Sequence, residues 1–195
     1  MQKALENYFD QGSITRGDKA FNIHANTYRI DADVVPTLEH RWYILKPDGS
    51  HYFLSGIGFD TDSGKRIVNW PDQHYDNGLQ KHEKTFRRYR KIIRILKRLR
   101  DQMQEEGIEG AKGIASCLIE SLVWNVPDEG LGHDTIRSDV RHVLAYLFNN
   151  TRKDTDCSNW LEVSKLKYLF RPVQPWAREQ AHSFISAAWD YIGFE

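Results

Sequence analysis

The 195-residue chain has only two cysteines, no net charge and no long apolar run. Cys117 and Cys157 stand far apart without CxxC or CxxxC spacing, which excludes a disulfide framework and a cysteine zinc site. Both are expected as small core residues. No segment approaches the ~20 apolar residues that a membrane-crossing helix needs. The N-terminus, MQKALENYFDQG, lacks a basic region followed by an apolar run. A soluble, cytoplasmic protein without a membrane partner is therefore expected. The chain also lacks GxSxG, GxxxxGK[ST] and GxGxxG, so nothing supports a serine hydrolase, a P-loop or a dinucleotide site. Its eight histidines show neither HxH nor HxxxH spacing, and no fixed-period repeat or low-complexity tract is present.

What is present is aromatic and locally charged. Aromatic residues make up 12% of the chain, enough apolar surface to exclude a disordered tail and to build a core of ordinary domain size. The balance of 27 basic against 27 acidic residues hides a basic run. From Lys84 to Arg100 the sequence reads KTFRRYRKIIRILKRLR, without one acidic residue. A neutral protein with one concentrated basic segment points to a localised anion such as phosphate, although an exposed basic helix face has the same appearance.

The first part of the chain reads as strands and turns. Thr27–Val35 alternates in a period of two, as a half-buried strand does. Arg41–Leu45 and His51–Leu54 flank the turn sequence KPDGS, a hairpin signal, and Phe59 and Arg66–Val68 flank a second turn, DTDSG. After Pro71 the character becomes helical. Phe86, Tyr89, Ile92, Ile93, Leu96, Leu99 and Met103 recur every three or four residues, the apolar stripe of a helix. Further helices are predicted over Ile114–Trp124, Asp134–Asn149 and residues 175–192, the last opening at Pro175. The fold class is α+β, with a partial sheet of short strands in residues 1–75 and a helical half in residues 76–195.

Several residues have spacing suited to chemistry. Asp31 and Asp33, two apart on the predicted strand, would project from one face about 6.5–7 Å apart, an arrangement that suits a hard cation such as Mg²⁺. A solvated acidic strand face would look the same. Lys97 borders the apolar stripe, so its ammonium can lean toward the body of the protein. Ser116 opens a predicted helix, where free N–H groups and a hydroxyl can meet phosphate or simply cap the helix.

Together, TRGDKAFNIHANTYRIDADVVPTLEHRWY, RIVNWPDQHYDNG, TFRRYRKIIRILKRLRDQM, SCLIESLVWNVPD and WDYIGF resemble the bacterial cGAS/DncV-like nucleotidyltransferases. These segments run in order along nearly the whole chain. The resemblance implies a nucleotidyltransferase-like palm of strands followed by a helical half, with nucleotide held in the cleft between them. It implies synthesis of cyclic or linear oligonucleotide signals from nucleoside triphosphates such as ATP and GTP, for antiphage defence. Mg²⁺ or Mn²⁺ would be the cofactor.

By resemblance, Asp33 in ADVVP takes the place of the family's third active-site acid, with Asp31 beside it. Lys97 and Ser116 match positions that contact the triphosphate, with Arg94 or Arg98 adding charge. Cys117 stands where some relatives carry an aromatic residue that stacks on a base. The family's GS turn and DxD pair are not found upstream of Asp33. Gly12-Ser13 with Asp31-Ala32-Asp33 is the alternative placement within the chain. The resemblance therefore covers the C-terminal two thirds of such an enzyme. The expectation is a truncated chain, inactive by itself, that self-associates or needs a separately encoded N-terminal portion. Two other readings are a non-catalytic nucleotide- or RNA-binding module built on residues 84–100 and a purely structural domain.

Overall fold

The computed structural model describes residues 1–9 and 11–194, the side chain of Gln11 excepted. Backbone contacts divide the chain into two compact units, Met1–Pro71 and Asp72–Glu195. In the first, a short helix α1 (Gln2–Tyr8) precedes two three-stranded antiparallel sheets. One sheet holds β1 (Ile14–Arg16), β2 (Phe21–Ile23) and β3 (Ala32–Val34), in that order. The other holds β4 (Leu38–Leu45), β5 (His51–Asp60) and β6 (Arg66–Asn69).

The β4–β5 hairpin turns where KPDGS predicts. Gly49 takes the left-handed conformation, φ 81°, and the Asp48 carboxylate accepts the Ser50 N–H at 2.9 Å. Gly56 on β5 is required by close approach, because a Cβ there would lie 2.7 Å from both the Asn69 carbonyl oxygen and the Trp70 ring. The predicted strand Thr27–Val35 is cut down to β3. Asn26 is the reason: its side-chain oxygen accepts the Tyr28 and Arg29 N–H groups at 2.9 and 3.1 Å, closing a tight turn. Tyr28 and Ile30, expected on a half-buried face, are 95% and 84% exposed.

The second unit contains α2 (Pro71–Lys84, whose Pro71 falls at the division), α3 (Tyr89–Glu105), α4 (Ser116–Trp124), α5 (Ile136–Thr151), α6 (Asp154–Cys157) and α7 (Arg178–Ile192). Helix α2 has no apolar stripe. It buries Gly78, which lies against Tyr89 and Val163, and Lys81. Pro71 at its first position, Asp72 in the first turn and three basic residues in the last suit the helix dipole.

Tyr89, Ile92, Ile93, Leu96 and Met103 of the predicted stripe are buried in the core of this unit with α4, α5 and α7. Phe86 is not among them. It is 84% exposed and, with Arg87, has a positive φ, because residues 85–88 form a turn between α2 and α3. Thr135 caps α5 by accepting the Ser138 N–H at 3.0 Å, and Gly193 ends α7 in the left-handed conformation. Helix α7 opens at Arg178 rather than Pro175, since the Trp176 indole N–H is held by the Leu169 carbonyl at 2.9 Å in the preceding loop. Cys157 is buried as expected, whereas Cys117 is exposed.

Candidate functional site

In the second unit, α2, α3 and α4 meet at one carboxylate. Glu120 is on α4, one turn beyond Ser116, so both side chains share a helix face. Lys97 of α3 donates from Nζ to Glu120 Oε1, and His74 of α2 donates from Nε2 to Glu120 Oε2 at 2.8 Å. These bonds, the His74 contact first, hold the Glu120 carboxyl down at about 2 against the opposing effect of partial burial. The Tyr89 hydroxyl donates to the Glu120 backbone carbonyl at 3.4 Å, and burial pushes that phenol's pKa upward.

A second tie runs beside the first. Arg100, one turn beyond Lys97, donates through Nη1 to the Ile114 carbonyl at 2.6 Å and through Nη2 to Ser116 Oγ at 3.2 Å. Two cations spaced i,i+3 on α3 thus meet a hydroxyl and a carboxylate spaced i,i+4 on α4. Lys97 and Ser116, predicted together from sequence, lie on these neighbouring faces. Glu120, His74 and Arg100 were not predicted as site residues. The only signal for Glu120 is its spacing from Ser116, and none pointed to His74.

Arg94 is exposed on α3, one turn before Lys97, and takes no part in the Glu120 contacts. Burial, followed by the charges of Arg90, Arg87, Arg94 and Lys91, lowers the His82 pKa. The run from Lys84 to Arg100 is accordingly not one free face. Arg88 pairs with buried Asp139 at 3.1 Å, Lys97 with Glu120, and Arg90 lies over the Tyr75 ring. Arg98, proposed beside Arg94, is exposed on α3.

Asp31 and Asp33 belong to the first unit. Asp33, on β3 opposite Asn22, accepts the Asn22 amide at 2.7 Å, and Asp31, just before the strand, accepts the Ala25 N–H at 2.7 Å. The spacing expected for a continuous strand does not apply, because only Asp33 lies within β3. Two carboxylates that each already hold a donor offer fewer free oxygens than a hard divalent cation takes. Among the described residues no group of three or more His, Cys, Asp or Glu could hold a metal. The described residues therefore do not by themselves make up a site for Mg²⁺. Gly12-Ser13 lies in a 3₁₀ turn, where the Ser13 carbonyl accepts the His24 N–H at 2.9 Å. A separate cleft of about 330 Å³ in the first unit is lined by Arg16, Asp18, Lys19, Asp60 and Arg66 and includes neither Asp31 nor Asp33.

Residues 76–193 match the cGAS/DncV-like nucleotidyltransferase C-terminal helical domain, and the chain belongs to that family. The cyclic dipyrimidine nucleotide synthase CdnE of Legionella pneumophila is 42% identical over 192 residues, covering 98% of this chain and 63% of its own length. The cyclic dipurine nucleotide synthase of Elizabethkingia meningoseptica is 31% identical over 196 residues, covering all of this chain and 64% of its own. The chain thus spans just under two thirds of these relatives.

The solved E. meningoseptica CdnE cyclic dinucleotide synthase with GTP and Apcpp superimposes with a TM-score of 0.86 at 30% identity, over 98% of this chain and 68% of the other. The Rhodothermus marinus CdnE c-UMP-AMP synthase with Apcpp and Upnpp gives 0.81 at 28%, over 99% and 65%. Among the described residues no helix is long and apolar enough to cross a membrane.

Proposed function

We propose that this chain is the nucleotide-holding part of a cyclic dinucleotide synthase, with Lys97 and Ser116 binding the triphosphate of a nucleoside triphosphate such as ATP or GTP. The observation that carries the reading is the pairing of α3 and α4, which presents an ammonium and a hydroxyl on adjacent, tied helix faces. Homology to synthases whose solved relatives contain nucleotides supports it. Bound there, two nucleotides would be joined when a ribose hydroxyl of one attacks the α-phosphate of the other and pyrophosphate departs, and a second such attack within the linear product, releasing a second pyrophosphate, would close the ring to a cyclic product for antiphage signalling. Lys97 offsets phosphate charge and the Ser116 hydroxyl donates a hydrogen bond to a phosphate oxygen. Arg94 and Arg98 add positive potential along α3.

Asp33, with Asp31, contributes to Mg²⁺ or Mn²⁺ binding once further carboxylates are supplied from outside these residues. The chain by itself is therefore proposed to bind nucleotide without turning it over. The exposed rings of the first unit support a further covering element. The unit's only buried apolar residues among those described are Phe21 and Ile23, while Trp42, Tyr43, Tyr52 and Phe53 of the β4–β5 hairpin remain exposed. Further palm structure, or a second copy, is the occupant that such a sheet would take. The test is titration of the purified chain with a non-hydrolysable triphosphate, alongside incubation with all four triphosphates and Mg²⁺ or Mn²⁺. Binding lost in Lys97→Ala, with no oligonucleotide product from the unaltered chain, supports the reading. Binding that is indifferent to Lys97 refutes the site assignment. A product from the unaltered chain refutes the incompleteness.

A further inference from the structure

The geometry points to Glu120 as a positioning residue for triphosphate binding, one that holds the Lys97 ammonium on the Ser116 face while His74 holds Glu120. The inference rests on the role proposed for Lys97 and goes beyond it by assigning two residues that the sequence did not mark.

A lysine side chain has four rotatable carbons, and freezing it costs free energy that a ligand would otherwise have to supply. Here that ordering is done before any ligand arrives. Lys97 reaches from α3 to the α4 carboxylate, and both side chains are about three-quarters buried, at 27% and 25% exposed. The carboxylate cannot swing away, because His74 from α2 takes its second oxygen at 2.8 Å and Tyr89 donates to the backbone carbonyl of the same residue. An ammonium has three donors. Glu120 uses one, and among the described residues no second acceptor engages Lys97. Two donors therefore remain for phosphate oxygens, on the helix face where Arg100 also fixes the Ser116 hydroxyl.

A carboxylate beside a phosphate-binding lysine could also act against binding, as a counter-ion that the phosphate must displace. The structure favours positioning, because Glu120 accepts from two different helices and so stays in place when Lys97 turns its free N–H groups outward. Removing it would release a flexible lysine rather than a stronger anion receptor.

The test is a double-mutant cycle on the full chain, read by calorimetric titration with a non-hydrolysable triphosphate and, in parallel, with the corresponding nucleoside, which lacks phosphates. Glu120→Ala is expected to weaken triphosphate binding about tenfold or more, as losing a charge-assisted hydrogen bond does. Nucleoside binding is expected to be unchanged. Lys97→Ala is expected to weaken triphosphate binding similarly, and the double variant no further than Lys97→Ala alone. Glu120→Gln, which keeps an acceptor for Lys97, should recover part of the loss.

A ligand-free readout accompanies it. Acylation of Lys97 by an amine-reactive ester, mapped by mass spectrometry, should rise in Glu120→Ala over the unaltered chain. If Lys97→Ala weakens binding while Glu120→Ala binds as well as or better than the unaltered chain, the positioning role is overturned and the Lys97 assignment stands. If Lys97→Ala binds normally, or the unaltered chain binds no triphosphate, the Lys97 assignment falls and this inference with it. Equal acylation in both proteins also refutes the tether.

Discussion

Asp139 is fully buried on α5 and accepts four hydrogen bonds: the Gly132 N–H at 2.8 Å, the His133 N–H at 2.8 Å, His133 Nδ1 at 2.9 Å and Arg88 Nη1 at 3.1 Å. Despite burial, which opposes ionisation, bonds from His133 and Gly132 and the Arg88 charge keep its pKa below the ordinary carboxylate range. The same pair steadies a turn with stored strain, since Phe86 and Arg87 have φ values of 50° and 63° immediately before Arg88. Asp139→Ala would leave an arginine that is 22% exposed without its counter-charge and two backbone N–H groups without an acceptor. Removing one partner of a buried ion pair costs about 3–5 kcal/mol. At about 3 kcal/mol, the melting temperature of a unit this size falls by roughly 10 °C. Asp139→Asn, which keeps an acceptor but turns an amide toward Arg88, should fall between the two. The assay is thermal and urea unfolding followed by far-ultraviolet circular dichroism. A loss below about 1 kcal/mol for Asp139→Ala would refute the account, because it would mean that Arg88 and the turn are held by something else.

Glu120 links stability to pH. Its folded pKa lies below its ordinary value of 4.5, at about 2, so its contribution is fully present above pH 4.5 and is lost as pH falls from there through 2. The shift corresponds to roughly 3 kcal/mol, reduced to about 1–2 kcal/mol by the solvent reaching a half-buried group. Urea unfolding from pH 6 to pH 2.5 should show this loss, and Glu120→Gln should remove it. Lys81, 6% exposed, donates to the Val126 carbonyl at 2.7 Å and the Asp128 carboxylate at 2.6 Å. Lys81→Met should cost about 1–3 kcal/mol by stranding those acceptors, read by the same unfolding assay. Gly56→Ala places a methyl group 2.7 Å from the Asn69 carbonyl and the Trp70 ring. It should destabilise the β4–β6 sheet by about 1–3 kcal/mol, measured as faster amide exchange in β5 and β6. On gel filtration, the exposed β4–β5 hairpin should make the isolated chain elute as more than one copy. A sharp monomer peak would count against the uncovered-sheet argument.

Local patterns carried a large part of the fold by themselves. The three-to-four spacing of Tyr89, Ile92, Ile93, Leu96 and Met103 determines α3, and the KPDGS turn determines the β4–β5 hairpin, because each rests on interactions within a few residues. Lys97 and Ser116 could be named from the chain since one borders an apolar stripe and the other opens a helix. Other features had no local signal. Helix α2 carries no apolar stripe, so its path depends on Gly78 and Lys81 packing against distant residues. Phe86 fits the α3 period, yet the Thr85 hydroxyl bonded to the Lys81 carbonyl and Arg88 bonded to Asp139 force a turn there and leave the ring outside. The strand predicted through Tyr28 and Ile30 is displaced by the Asn26 side chain closing a turn. Glu120 meets His74 across 46 residues of chain and Lys97 across 23. Such pairings exist only once α2, α3 and α4 have packed, so a carboxylate that looks like one more helical glutamate in sequence becomes, in the folded chain, the residue on which the lysine depends.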